Sequence, residues 1–429
     1  MKLLMKKTLI LLLLFSISYP SVNAQSTLIK AKGYLDVRSG KLISPANILI
    51  EDGLIKSINS KSLPTEIVQI DLPNKILLPG LMDMHVHLDA DFEGSWDYIY
   101  HESASDATAR SIYNAEKTLL AGFTTIRNIG QVHITIDLVD VAVSNASGKG
   151  WIKAPRIIPA GHMISIQGGH GDLTMGLSEE LIEINPKYGI INGKYDAIEA
   201  VRYQIKNGAK FIKMHATAGV LSLEESAGAQ QLSDEEMKAI VEEAARHHVK
   251  VAAHAHGTEG IKAAIKAGVY SIEHGSLLDD EGISLMKEKG VYLVPTVGTM
   301  EKLAPLIQKM DPRMQAKVNY ITPLAKQNIA KAIKSGVKIS FGTDAPLVPH
   351  GENAFEFSSM ISLGLSVLDA IKSATINPAE MLGLTDRGEI KEGYLADIIA
   401  VESNPLENIK TLENVSFVMK GGTVYKNVN

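Results

Sequence analysis

The stretch Leu77-Leu78-Pro79-Gly80-Leu81-Met82-Asp83-Met84-His85-Val86-His87-Leu88 decides how the chain is read. It is an apolar run with the composition of a buried strand, and it ends in two imidazoles one residue apart. Residues i and i+2 of a strand point to the same side, so the rings of His85 and His87 converge on one point. Two neutral imidazoles aimed together at the mouth of a strand form half of a metal site. Taken alone, the pair fits two solvated or hydrogen-bonded histidines equally well. The surrounding sequence separates the two readings.

Downstream of this run, short apolar segments alternate with helical patterns, which argues for βα units and a parallel sheet. Eight such runs can be marked: Ile76–Leu88, Thr124–Gly130, Arg156–Ile164, Ala209–Ala216, Lys250–Gly257, Tyr270–Ser276, Tyr292–Gly298 and Lys338–Pro346. Between them, Ser233-Asp234-Glu235-Glu236 opens a helix with a capping-box pattern. Its apolar positions Met237, Ile240, Val241 and Ala244 keep the helical period. Lys266-Ala267-Gly268 and Lys287-Glu288-Lys289-Gly290 close two further helices with basic last turns and a terminal glycine. Eight β-then-α units predict an α/β fold of the (β/α)8 TIM-like barrel type, whose catalytic residues come from C-terminal strand ends. An open doubly wound sheet is the alternative, but no Gly-x-Gly-x-x-Gly follows an early strand.

The two ends of the chain read differently from its middle. Ile48-Leu49-Ile50 and Leu54-Ile55-Lys56-Ser57-Ile58 flank a turn at Asp52-Gly53, a hairpin signal. Ala396–Val401 and Val415–Met419, followed by Gly421-Gly422, repeat that style. Residues 25–75 and 388–429 are therefore expected to meet in a small β-sandwich module around a barrel spanning 76–387. Residues 1–24 have a basic start at Lys2, Lys6 and Lys7, a short apolar run, and Val22-Asn23-Ala24 before Gln25. This reads as a cleaved secretory signal peptide, too short for a comfortable membrane span, and implies a periplasmic or secreted protein with no stable membrane span after cleavage.

The 429 residues are 45% hydrophobic and 21% charged, an ordinary globular balance with room for a large core. There is no cysteine, which excludes disulfides, thiolate zinc sites and lipoprotein attachment. Without the leader, 40 basic residues face 48 acidic ones and no basic stripe appears, so nucleic acid is not an expected partner. A small-molecule or dipeptide substrate is, and a homo-oligomer stays open.

The chemistry-bearing residues gather at predicted strand ends. Strand one ends in His85 and His87. Strand four carries Phe211-Ile212-Lys213-Met214-His215, strand five Ala253-His254-Ala255-His256-Gly257, strand six Ile272-Glu273-His274-Gly275, and strand eight Phe341-Gly342-Thr343-Asp344-Ala345-Pro346. In a barrel these ends surround one cavity. Imidazole and carboxylate suit zinc and neighbouring divalent ions, but an ammonium at Lys213 would be repelled by them. A buried lysine amine of lowered pKa is nucleophilic enough to take up CO2. The resulting carbamate is an anionic oxygen ligand able to bridge two ions.

With these motifs in place, the chain resembles the amidohydrolase superfamily, in the group related to imidazolonepropionase that includes Xaa-Pro dipeptidases and other dipeptide-cleaving carboxypeptidases. The resemblance runs from Leu78-Pro79-Gly80-Leu81-Met82-Asp83-Met84-His85-Val86-His87 through Ser165-Ile166-Gln167-Gly168-Gly169-His170-Gly171-Asp172, Ser271-Ile272-Glu273-His274-Gly275 and Gly342-Thr343-Asp344 to Lys391-Glu392-Gly393-Tyr394-Leu395-Ala396-Asp397. It implies two divalent ions, most often zinc. His85, His87 and Asp344 would hold one and His254 and His274 the other, with carboxylated Lys213 bridging. Such a pair, about 3.5–4 Å apart, holds a bridging hydroxide that attacks a polarised carbonyl. Asp344 would take the proton and deliver it to the leaving amine. A nearby donor would help the ions stabilise the oxyanion.

Seven further histidines divide into two groups. His170 follows strand three in a glycine-rich loop and is expected to bind the substrate carboxylate or support the oxyanion, as a catalytic or substrate-binding residue. His256 is expected beside it as a substrate-facing or supporting group, and His162 could also reach the cavity. His215 is expected to point away from Lys213, and His101, His247 and His248 to be exposed. The implied reaction is hydrolysis of a peptide-like amide at a binuclear site. The alternatives are a single-ion cyclic amide hydrolase or deaminase of the imidazolonepropionase type, and a barrel that binds metal without turnover. Lys213 favours the first, because single-ion members of the superfamily generally lack the bridging carbamate.

Two departures from relatives bear on the substrate. Ala218 stands where a glycine is common, and Gln231 where a phenol would be a donor, so N-acylated amino acids stay open as substrates. The long connection Ser165–Gly208 leaves Leu177–Tyr195 open as a lid, a surface excursion or an oligomer contact.

Overall fold

The computed structural model describes residues 26–428 apart from 94, 176 and 179–184. The leader read over residues 1–24 lies outside the described residues, as does the centre of the segment 177–195.

The run read as one strand from Ile76 divides at Gly80. Val68–Pro79 belongs to an eight-stranded sheet built from both chain ends, and Leu81–Val86 begins the barrel. At Gly80 a β-carbon would stand 2.2 Å from Thr124 Oγ1, so only glycine lets the chain cross there from one sheet to the other. In the terminal sheet, Val68–Pro79 pairs in parallel with Thr27–Asp36 and antiparallel with Ile398–Val401, with Pro79 opposite Ile398. The sheet covers an apolar core of its own that includes Ile29, Ile48, Leu77, Ile398 and Phe417.

The barrel has eight parallel strands: Leu81–Val86, Phe123–Asn128, Arg156–Pro159, Ile212–His215, Val251–Ala255, Ser271–His274, Tyr292–Val294 and Lys338–Ile339. Each lies within a run marked in the sequence, except that the second begins one residue earlier, at Phe123. The ladders form one group of three strands and one of five. Parallel bridges between Ile164 and Met214 and between Val86 and Ala345 close the ring. Asp344 N donates to His85 O at 2.8 Å and His87 N to Ala345 O at 2.7 Å. Strand eight is thus stitched to strand one at the level of the histidines.

Between strands the helices follow their sequence signals. Ser233 caps Asp234–Arg246 in a reciprocal capping box with Glu236. Thr258–Ala267 and Asp280–Lys289 end on the left-handed glycines Gly268 and Gly290. Met237, Ile240 and Ala244 are fully buried. No helix among the described residues is long and apolar enough to cross a membrane.

Candidate active site

His85 and His87 leave the first strand on one face, and Asp344 arrives opposite them at the end of strand eight. Asp344 Oδ1 lies 3.2 Å from His85 Nε2 and 3.5 Å from His87 Nε2. Gly342 makes this approach possible, since a β-carbon there would lie 2.8 Å from that of His85. His274 comes from strand six with its ring centroid 5.0 Å from His85 and 4.8 Å from His254. Lys213, His254 and His256 complete the same buried cavity. His274 and Asp344 both take left-handed backbone, at φ 67 and φ 56. Glu273 points into the barrel, so strict alternation would turn His274 outward. The left-handed turn brings it back, and such strain clusters at functional sites.

The hydrogen bonds behind these rings fix which nitrogen faces the cavity. His85 Nδ1 lies 2.9 Å from Glu273 Oε2, and His87 Nδ1 lies 2.7 Å from the Gly130 carbonyl. Burial works to raise the Glu273 pKa, but Arg127 and His85 outweigh it and hold it at about 2, so Glu273 accepts only. Both Nδ1 atoms therefore carry a proton, and both Nε2 atoms face Asp344. Burial also pushes the Asp344 carboxyl up, yet His85, His87 and His274 hold it well below the usual carboxylate range. At 3.2–3.5 Å these nitrogens and the carboxylate oxygen need a positive charge shared between them, a proton or a metal ion.

The other half of the donor set carries the same signature. His274 Nδ1 is 2.8 Å from Thr296 Oγ1, while the buried Nε2 of His254 has no hydrogen-bond partner among the described residues. Buried polar atoms are rarely left so. Burial lowers the Lys213 amine to about 8, with Glu273 and Asp344 pulling the other way, and drives His254 and His274 well below their ordinary value. His85, His274 and Asp344 form one three-donor cluster, and His254, His256 and His274 another. The residues fit divalent metal ions.

His170 lines the cavity too, its ring 4.4 Å from that of His254. Its Nδ1 meets Ser222 Oγ at 2.6 Å, with Glu224 3.6 Å away. Gly219 lies flat on the ring, where a β-carbon would approach within 2.1 Å. His256 also lines the cavity and is held by Ser276 through Nδ1 at 2.7 Å.

Several expectations need correction. His215 does not point away from Lys213. Both line the cavity, because residues two apart in a strand share a face. His162 is turned instead toward a neighbouring small pocket, against Tyr188. Neither Ala218 nor Gln231 lines the cavity. Ala218 N pairs with the Ala229 carbonyl, and Gln231 Oε1 accepts from His170 N at 2.9 Å. No described residue of 177–195 covers the site. Its roof comes from Trp96, Leu221, Met300, Ile321 and Leu347. His101, His247 and His248 are exposed as expected.

Sequence reasoning missed the groups behind the ligands. Glu273 was in view only as the neighbour of His274. Arg127, which binds Glu273 at 2.7 Å, and His350, which meets the His87 carbonyl at 3.1 Å, were not marked. A lone arginine inside the strand Phe123–Asn128 was the available signal.

The sequence profile of the amidohydrolase family matches residues 76–425. The chain is 35% identical to ochratoxinase from Aspergillus niger, across 94% of its own length and 87% of that protein. It superimposes on the crystal structure of a Xaa-Pro dipeptidase with bound methionine at a TM-score of 0.89 and 38% identity, covering 94% of this chain and all of that one. A prolidase complexed with N-methylphosphonate-L-proline superimposes at 0.84 with 29% identity, over 94% of this chain and 100% of the other. With the barrel, the strand-end donors and these matches together, the chain belongs to the amidohydrolase family and is a hydrolase of amide carbon–nitrogen bonds.

Proposed function

We propose that this hydrolase cleaves linear, peptide-like amides, in the manner of an Xaa-Pro dipeptidase or a carboxypeptidase, at a two-ion centre. His85, His87 and Asp344 would hold one divalent ion and His254 and His274 the second, with Lys213, carboxylated by CO2, between them. Zinc suits that set of imidazole and carboxylate donors. When bound, the ions lower the pKa of water for attack and polarise the scissile carbonyl.

The chain's own groups do the rest. Asp344 accepts the proton of the attacking water and returns it to the leaving amine, a transfer suited to a carboxylate already facing both histidines. His170, held by Ser222, presents its other nitrogen to the substrate, and His256 supports the same wall. Trp96, Leu221 and Leu347 keep bulk water from the reacting bond.

The observation that carries the reading is the convergence of His85, His87, Lys213, His254, His274 and Asp344 on one buried cavity. Lys213 is its decisive member, since an ammonium among cation ligands would be out of place. Protein prepared with zinc and bicarbonate is expected to hold two ions per chain by metal analysis. It should also release an amino acid from members of a panel of dipeptides and N-acyl amino acids. One ion per chain, with ring opening or ammonia release from cyclic amides or amino-heterocycles, overturns it.

A further inference from the structure

We infer that Lys317 is a positioning residue of this hydrolase: its ammonium clamps the loop 219–224 in the shape that sets His170 at the cavity. That His170 addresses the substrate rests on the reading above, while the clamp itself does not. Lys317 lies on the inner face of the helix Pro312–Lys334 and is only 4% exposed. Its Nζ donates to the carbonyls of Gly219 at 2.9 Å, Ser222 at 2.8 Å and Glu224 at 2.8 Å. An ammonium has three donors and no acceptor, so each N–H meets one carbonyl.

A buried charge needs such partners. Three carbonyls of one short segment reach a single point only if the chain wraps around it. The neck of the wrap is closed by Gly219 N, which donates to Glu224 Oε1 at 2.9 Å. One turn earlier on the helix, Arg313 donates to the Leu223 carbonyl at 3.1 Å from the outer side. Without the ammonium, three carbonyl dipoles would point at one another with no donor between them. The loop would then open to find water.

The other face of this loop belongs to the cavity. Val220 and Leu221 line it, and the helix adds Val318, Ile321 and Thr322 to the same wall. Ser222 Oγ lies 2.6 Å from His170 Nδ1, and Gly219 covers the His170 ring so closely that a β-carbon there would come within 2.1 Å. His170 follows strand three, the loop follows strand four, and Lys317 precedes strand eight. One cation behind the wall therefore ties together three connections that are far apart in sequence. A ring whose Nδ1 is held and whose face is covered aims its other nitrogen in one direction, and the layer behind it sets that aim.

In the metal-free protein, Lys317→Met is expected to speed amide hydrogen exchange across residues 219–224 at least tenfold. It should also speed modification of His170 by diethyl pyrocarbonate, read by peptide mass spectrometry, at least threefold. Lys317→Gln, whose shorter stem cannot reach all three carbonyls, should move both readouts the same way and decides the matter if the methionine variant does not fold. Ser222→Ala cuts only the tie to the ring, so His170 modification should rise while loop exchange stays within twofold of wild type. With zinc-loaded enzyme, Lys317→Met should lower kcat/KM at least fivefold, chiefly through KM, because a misaimed ring loses substrate binding. Wild-type exchange in a folded Lys317 variant overturns the clamp. Faster exchange with unaltered His170 modification and unaltered KM overturns the positioning role. If no amide is cleaved even by the wild type, the metal-free readouts still decide the clamp, and it is the hydrolase reading that fails.

Discussion

Across the cavity, the two halves of the donor set are supported unequally. His85 and His87 each donate from Nδ1 to a fixed acceptor, Glu273 or the Gly130 carbonyl. On the other side, the buried Nε2 of His254 and Nδ1 of His215 have no partner among the described residues. Groups behind a metal ligand set its tautomer and orientation. The strand-one side is therefore shaped before any ion binds, with Arg127 and Ser271 holding Glu273 in turn. On the strand-five side His274 and His256 are held through Thr296 and Ser276, and on the proposed reading it is His254 that would be ordered by the ion it holds.

The largest effects should come from removing the proposed bridge and a ligand from either half. Asp344→Asn is expected to lower kcat by about 10²–10⁴-fold, and Lys213→Ala and His274→Ala to abolish hydrolysis, all with an unchanged far-ultraviolet circular dichroism spectrum. Full activity of Lys213→Ala without added short carboxylates would falsify the bridging role. Next in size, Glu273→Gln should weaken metal binding about 10–100-fold, read by competition with a chromophoric chelator. It should also lower the melting temperature, because buried Arg127 loses its charge partner. If Glu273→Gln binds metal as the wild type does, the strand-one side is not preorganised by its second layer.

A smaller effect tests the asymmetry itself. Dialysis against a chelator should remove metal in two phases, the first ion leaving the His254 and His274 side, and His274→Ala should erase the fast phase alone. Release in a single phase removes the distinction between the halves. At the bottom of the scale, His247→Ala, on the exposed end of Asp234–Arg246, should change stability by no more than about 0.5 kcal/mol in urea unfolding, with metal content untouched.

What was legible in the sequence follows the rarity of each signal. His85, His87, Lys213, His254, His274 and Asp344 stood out because charged or imidazole side chains seldom end apolar strands. The barrel was legible because each of its eight strands left an apolar run between helical patterns. Glu273 was overlooked because an acid beside a histidine looks like ordinary polar punctuation. Only the closed ring shows that it touches His85 from five strands away. The described roof was not legible for a related reason. Trp96, Leu221, Met300, Ile321 and Leu347 are ordinary apolar residues scattered along the chain, and nothing local marks them as neighbours. The long connection after strand three attracted attention by its length, which carries no information about where it lies. His215 was misread through an error of parity, since alternation itself places it beside Lys213.

The strand Val68–Pro79 runs through Gly80 into the strand that carries His85 and His87, and its free edge is filled by Ile398–Val401 near the opposite end of the chain. During synthesis that edge stays open until almost the whole chain has been made, since the pairing with the greatest sequence separation forms last. Until then an apolar strand directly upstream of the two histidines is exposed to mispairing with other chains. The last thirty or so residues, which touch no part of the cavity, thus act as the latch of the assembly: trimming them should cost yield and solubility before it costs chemistry.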